Sequence, residues 1–174
     1  LEGDRFLDEG ADFRNYTYVT YGRALLTQPQ GLAFQIFDEK VKHLLRDEYH
    51  IPQVTMAEAN TIEELATRLD IDPEGLANTV KAYNAAVQTD VTYNPTVKDG
   101  RGTVGIEPPK TNWAQTIDTP PYLGYAVTCG ISFTFGGVKI DTRGRVVTNS
   151  QEAIPGLYAA GEMVGGLFYH NYPG

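Results

Sequence analysis

Ile154-Pro155-Gly156-Leu157-Tyr158-Ala159-Ala160-Gly161-Glu162-Met163-Val164-Gly165-Gly166-Leu167-Phe168-Tyr169-His170-Asn171-Tyr172-Pro173-Gly174 is the stretch on which the reading of this chain turns. Pro155-Gly156 makes a turn, and Leu157 to Ala160 is small and apolar enough for a short buried strand. Gly161-Glu162 follows where such a strand would end. Gly165-Gly166 then permits a close backbone approach. The chain stops on Gly174 with no terminating element, and its first residues, Leu1-Glu2-Gly3, carry neither an initiator Met nor a signal peptide. The expectation is a piece of a longer protein.

Outward from that ending, composition narrows the field. A length of 174 residues accommodates one domain with a core, or one domain and part of another. The 14 basic and 22 acidic residues give a net charge of −8, which argues against nucleic acid or an anionic membrane as partner. No apolar run approaches the roughly 20 residues of a membrane helix. The single cysteine, Cys129, excludes an internal disulfide framework, and the three histidines have no ligand spacing. A reduced, cytoplasmic setting and no bound metal are the resulting expectations.

Helices are expected in the middle of the chain and strands at its end. Arg5 to Glu9 reads as a short strand running into Gly10-Ala11-Asp12. Arg14 then sits in a loop among Phe13, Tyr16, Tyr18 and Tyr21, and a helix could begin at Arg23. Leu32 to Phe37 is strand-like, and Lys40 to Tyr49 reads as a helix. Thr61 with Glu64 forms a capping box ahead of an apolar stripe at Ile62, Leu65, Ala66 and Leu69. Asp72-Pro73 opens another helix, whose stripe is Leu76, Val80, Tyr83 and Val87. Thr89 to Pro120 reads as a long loop, either functional or pinned by packing. Tyr125 to Thr128, Ile131 to Phe135, Val138 to Ile140 and Val146-Val147 follow as short strands, with a hairpin turn at Asp141-Thr142-Arg143-Gly144.

The residues that could carry chemistry form a few groups. Gly136-Gly137, Gly161-Glu162 and Gly165-Gly166 could let a flat or phosphorylated ligand approach the backbone, or could simply be tight turns. A carboxylate at a strand end, such as Glu162, suits a ribose-type hydroxyl. Arg14 could pair with a substrate carboxylate or be a surface arginine packed on tyrosines. Ser132, Thr134, His170 and Tyr172 are polar groups near the glycine turns. Walker, nucleophile-elbow and zinc patterns are absent from the sequence, as is a full G-x-G-x-x-G.

Ile154 to Glu162 resembles the C-terminal FAD motif of the fumarate reductase/succinate dehydrogenase flavoprotein superfamily. Thr134-Phe135-Gly136-Gly137-Val138-Lys139-Ile140-Asp141 resembles a second segment of that superfamily, and Arg5 to Glu9 a third. Asp8 to Tyr18, Val127 to Ile131 and Gly165 to Gly174 are similar to its tricarballylate dehydrogenase branch. The resemblance implies an α+β fold. Residues 1–132 would be a substrate-capping domain, and residues 133–174 a strand-rich part of a split FAD-binding domain. It implies FAD as cofactor, held by Gly136, Gly137, Gly161 and Glu162. Arg14, Thr134 and Tyr172 would be catalytic and Ser132 and His170 would meet substrate, with Tyr16 the fallback for Arg14.

The implied reaction removes two hydrogens from a C–C bond of a polycarboxylate. One leaves as hydride to the flavin, the other as a proton relayed through Arg14, and electrons pass on to a redox protein or quinone. Fumarate reductases carry His-His and Asn-Arg where this chain has Ser132-Phe133 and Asn171-Tyr172, so plain fumarate chemistry does not follow. A ketosteroid-type dehydrogenase is the alternative among enzymes. An isolated, non-catalytic cap or interaction module is the alternative outside them.

Overall fold

A computed structural model describes residues 1–131 and 134–168. Its main body is an antiparallel sheet of three strands, β1 (Leu32–Asp38), β2 (Met56–Ala59) and β3 (Tyr122–Thr128), in the order β1-β3-β2. β3, the last of them in sequence, is therefore central. It pairs Leu32 with Thr128 and Asp38 with Tyr122 on one side, and Met56 with Tyr125 on the other. Helices α1 (Arg14–Leu26), α2 (Ile62–Arg68) and α3 (Pro73–Ala86) complete the body.

Local sequence accounts for α2 and α3. Thr61 Oγ1 accepts a hydrogen bond from Glu64 N at 3.1 Å, and Asp72 Oδ2 accepts one from Gly75 N at 3.0 Å. Each side chain satisfies an amide that the helix start would otherwise leave unpaired. Ile62, Leu65, Ala66, Leu69, Leu76 and Val80 join one buried cluster, against which Phe34 and Ile36 of β1 pack. Gly124 makes the close approach possible, because a Cβ there would lie 2.3 Å from Leu69 Cδ1.

The long segment between α3 and β3 contains no named helix or strand, and polar side chains pin it. Arg101 Nε donates to Ala114 O at 2.6 Å and its Nη1 to Val91 O at 2.6 Å. Asp38, buried at the end of β1, accepts the amides of Lys40, Asp118 and Thr119 and is paired with Lys40 Nζ at 3.2 Å. Four donors, three backbone amides and one ammonium, thus converge on this buried carboxylate, as burial of a charge requires.

A second, smaller unit is the antiparallel pair β4 (Arg145–Val147) and β5 (Ala153–Tyr158). The turn before β4 forms as its sequence predicts: Gly144 N donates to Asp141 O at 3.0 Å, and Gly144 adopts φ +76°. Asp141 Oδ2 then pairs with Arg145 Nη2 at 2.6 Å.

Several expectations change. Arg5 to Glu9 joins no strand; Arg5 is instead anchored through Nη1 to Pro108 O and through Nη2 to Glu9 Oε2, both at 2.6 Å. Arg14 starts a helix and does not lie in a loop, and that helix begins at Arg14, well before Arg23. The run of Tyr and Thr in α1 has weak intrinsic helix preference, and contacts with β1 and β3 override it. Lys40 to Tyr49 is not one helix but two 3-10 helices, Glu39–Leu44 and Asp47–His50, the first started by the Asp38 carboxylate. β2 had no alternating pattern to announce it.

Val138 and Ile140 form isolated bridges, not a full strand, and residues 131, 134 and 135 lie in none. Leu157 and Tyr158 are in a strand but are 47% and 65% exposed, because among the described residues β5 pairs only with β4 and no layer covers them. Among the described residues no helix is long and apolar enough to cross a membrane.

Candidate functional site

Two glycine segments far apart in sequence meet edge to edge. Val138 N donates to Met163 O at 3.0 Å and Gly165 N to Val138 O at 3.1 Å, giving a parallel bridge between Val138 and Val164. The approach depends on missing side chains. A Cβ on Gly137 would lie 2.4 Å from Met163 O, and one on Gly165 would lie 2.8 Å from Gly137 N. Gly137 and Gly165 therefore serve the contact between backbones. Gly136, Gly161 and Gly166 face open space, with Gly161 and Gly166 at φ +76° and +83°.

Glu162 ties this junction to the Thr134 segment, since its Oε1 accepts the Thr134 amide at 3.0 Å. Thr134, Phe135, Glu162, Val164, Leu167 and Phe168 line a pocket of about 10 Å³, the size of one water. The structure thus brings together Thr134, Gly137 and Glu162, with Gly136 and Gly161 as chain neighbours on open ground. Ser132, His170 and Tyr172 lie outside the described residues. Sequence reasoning missed Val164, Leu167 and Phe168 as part of this wall; apolar residues flanking a Gly-Gly turn were the available signal.

Arg14 belongs to a different cluster. It is the first residue of α1, its side chain is 61% exposed, and its Nη1 lies 3.6 Å from Glu48 Oε1. Glu48 also pairs with Arg46 Nε at 3.3 Å. A hydrogen bond from its own backbone amide, with Arg46 and Arg14 nearby, holds the Glu48 carboxyl below the ordinary carboxylate range. Next to it Tyr49 packs edge-on against Phe37 and Tyr125 and donates to Gln35 Oε1 at 2.6 Å. Burial raises the Tyr49 phenol pKa, against that hydrogen bond. Glu48 is remote from Arg14 in sequence, and no local pattern pointed to it.

A wider groove, about 610 Å³, lies elsewhere, between α2, α3 and the start of β3, and is lined by groups such as Asn78, Lys81, Asn84 and Asp118. It contains none of the predicted site residues, and its size alone gives it no chemistry. Among the described residues no group of three or more His, Cys, Asp or Glu could hold a metal ion.

A mixed helix-and-sheet body joined to a glycine-built wall is an architecture shared with flavoprotein reductases and dehydrogenases. The solved open conformation of a flavocytochrome c3 fumarate reductase matches with a TM-score of 0.69 and 29% identity, over 99% of this chain and 27% of that one. The sequence profile of the FAD binding domain family matches residues 2–174, and the chain belongs to that family. NADH:acrylate oxidoreductase of Vibrio harveyi is 30% identical over 98% of this chain and 16% of its own length. 4-oxocyclohex-2-ene-1-carboxylate 5-dehydrogenase of Sinomonas cyclohexanicum is 32% identical over 99% of this chain and 31% of its own length. The chain therefore spans between about a sixth and a third of these relatives.

Family membership makes FAD the cofactor, and the glycine junction suits it. The pocket is far too small to hold a flavin, but Gly136 and Gly161 offer backbone with no side chain in the way, and Glu162 stands beside them as an acceptor. These residues can supply one wall of a cofactor site.

Proposed function

We propose that the protein is a flavin-dependent dehydrogenase that desaturates a C–C bond flanked by carboxylates, with tricarballylate going to cis-aconitate as the specific reaction. The observation that carries this is Arg14: an exposed guanidinium fixed at a helix start, in a chain of the FAD binding domain family. An arginine there can grip a carboxylate bidentately, which a neutral steroid would not need. FAD, when bound, takes the hydride. Residues 1–132 act as the cap over substrate, and residues 133–174 form part of the FAD-binding domain. This division is supported by both buried hydrophobic clusters lying within the first part.

In this reading Glu162, Gly136, Gly137 and Gly161 hold the cofactor. Thr134, Ser132, His170 and Tyr172 line the substrate pocket, with Thr134 and Tyr172 nearest the chemistry. Arg14 moves the proton. A guanidinium holds its charge in a protein, so Arg14 works by passing one proton on as it receives another. Glu48 keeps the guanidinium oriented. Electrons leave to a redox protein or quinone.

The test is turnover of the full-length, FAD-loaded protein with tricarballylate under anaerobic conditions. Arg14→Ala should lower kcat by about 10²–10⁴-fold, the usual worth of a positioned proton-transfer group. An unchanged rate in that variant sinks the relay. Flavin reduction by a 3-ketosteroid, with none by tricarballylate, points to the ketosteroid chemistry instead.

A further inference from the structure

The start of α1 is poorly supported by its own sequence. Its N-cap is Phe13, with no side-chain cap, and no acidic residue lies in the first turn. Arg14 places a positive charge where the helix dipole is also positive. Such an end should fray. It is held from outside, residue by residue, by the segment from Lys98 to Trp113.

The contacts run along the whole approach to Arg14. Asp8 accepts Thr111 N at 3.0 Å, and Thr111 Oγ1 also donates to it. Asn112 is buried; its Nδ2 donates to Gly10 O at 2.8 Å and its Oδ1 accepts Gly100 N at 2.9 Å. Lys98 Nζ pairs with Asp12 at 3.1 Å. The Trp113 ring packs on Phe13, the residue before Arg14, with ring centres 5.2 Å apart. Trp113 is itself fixed: its Nε1 donates to Val97 O at 2.7 Å and its backbone amide to Asp99 at 2.9 Å. Phe13 O, in turn, accepts Tyr16 N at 2.9 Å to start the helix.

We propose that Trp113 and Asn112 are positioning residues for Arg14: the 98–113 segment is a strap that fixes the first turn of α1 and so aims the guanidinium at the substrate. The proposal rests on the reading of Arg14 as the proton relay. Trp113 acts through Phe13 and touches no reacting atom in this scheme. Trp113→Ala leaves the charge of the site unchanged and removes the ring that packs on Phe13.

The experiment uses the full-length FAD-loaded protein with tricarballylate. It measures kcat, KM and the solvent deuterium isotope effect for Trp113→Ala, Trp113→Phe, Arg14→Ala and the Trp113→Ala/Arg14→Ala pair, each normalised to bound flavin. Trp113→Ala should lower kcat about tenfold with KM little changed, within the range that small misplacements of a catalytic group produce. Its isotope effect should rise, because proton transfer becomes slower, and Trp113→Phe should recover most of the rate. In the Arg14→Ala background Trp113→Ala should cost nothing more.

If Arg14→Ala slows the enzyme but Trp113→Ala does not, the strap is wrong and the relay stands. A loss in Trp113→Ala that leaves the isotope effect unchanged, or that adds in full to Arg14→Ala, marks a structural role and also overturns the strap. A retained rate in Arg14→Ala overturns both readings together.

Discussion

The sheet-and-helix body and the glycine-rich unit after it hold themselves together in different ways. In the body, Leu65 and Leu123 are fully buried, both helices after β2 are capped by side chains, and the long segment before β3 is tied down by Arg101, Asp99 and Asn112. The unit from Val138 onward buries Val146 and Val164 but exposes Val138, Leu157, Tyr158, Met163 and Leu167. Its backbone bridges exist because Gly137 and Gly165 lack side chains. The body is organised by side-chain packing and the second unit by backbone approach. A cofactor wall needs open backbone and apolar edges, and those same features contribute little stability by themselves.

Substitutions can sharpen or break that contrast. Leu65→Ala should cost the most, about 2–5 kcal/mol in urea unfolding, since it empties the centre of the main cluster. A loss well under that range would mean the body is not the stable part. Gly137→Ala comes next, at about 1–3 kcal/mol of local strain, because its Cβ would meet Met163 O at 2.4 Å. In the full-length protein it should lower FAD occupancy while leaving the unfolding of the body unchanged. Asp72→Ala should remove about 1 kcal/mol by uncapping α3.

Acid should act on the body through Asp118. The Lys40 ammonium, with Thr116, holds the Asp118 carboxyl below the ordinary carboxylate range. A carboxyl with a depressed folded-state pKa stabilises above its unfolded pKa, about 3.9, and that stability is lost as pH falls through the folded value. Unfolding followed across this window should show a shallower decline for Asp118→Asn than for the parent. The smallest effect belongs to Leu157→Ser, which should shift unfolding of this chain by under about 0.5 kcal/mol, as exposed positions do. A large destabilisation there would show that β5 is covered after all.

How far the sequence could be read follows the same division. The caps at Thr61 and Asp72, the stripes behind them and the turn at Gly144 were legible because each is set by neighbours within a few residues. α1 was not, since its Tyr- and Thr-rich sequence is held helical by β1, β3 and the packing of Phe13 on Trp113. β2 was missed because Met56–Ala59 is short and its pairing with β3 is long-range. At the glycine junction, motif singled out Gly137 and Glu162 as candidates, and their placement relative to the Thr134 segment needed the fold. Glu48 could not have been found beside Arg14 without it.

The most direct measurement is the anaerobic bleaching of flavin absorbance on mixing the full-length FAD-loaded protein with tricarballylate, for the parent and for Arg14→Ala. The account predicts rapid bleaching in the parent and a rate about 10²–10⁴-fold lower in the variant at equal flavin content. Equal bleaching rates in the two proteins would contradict it.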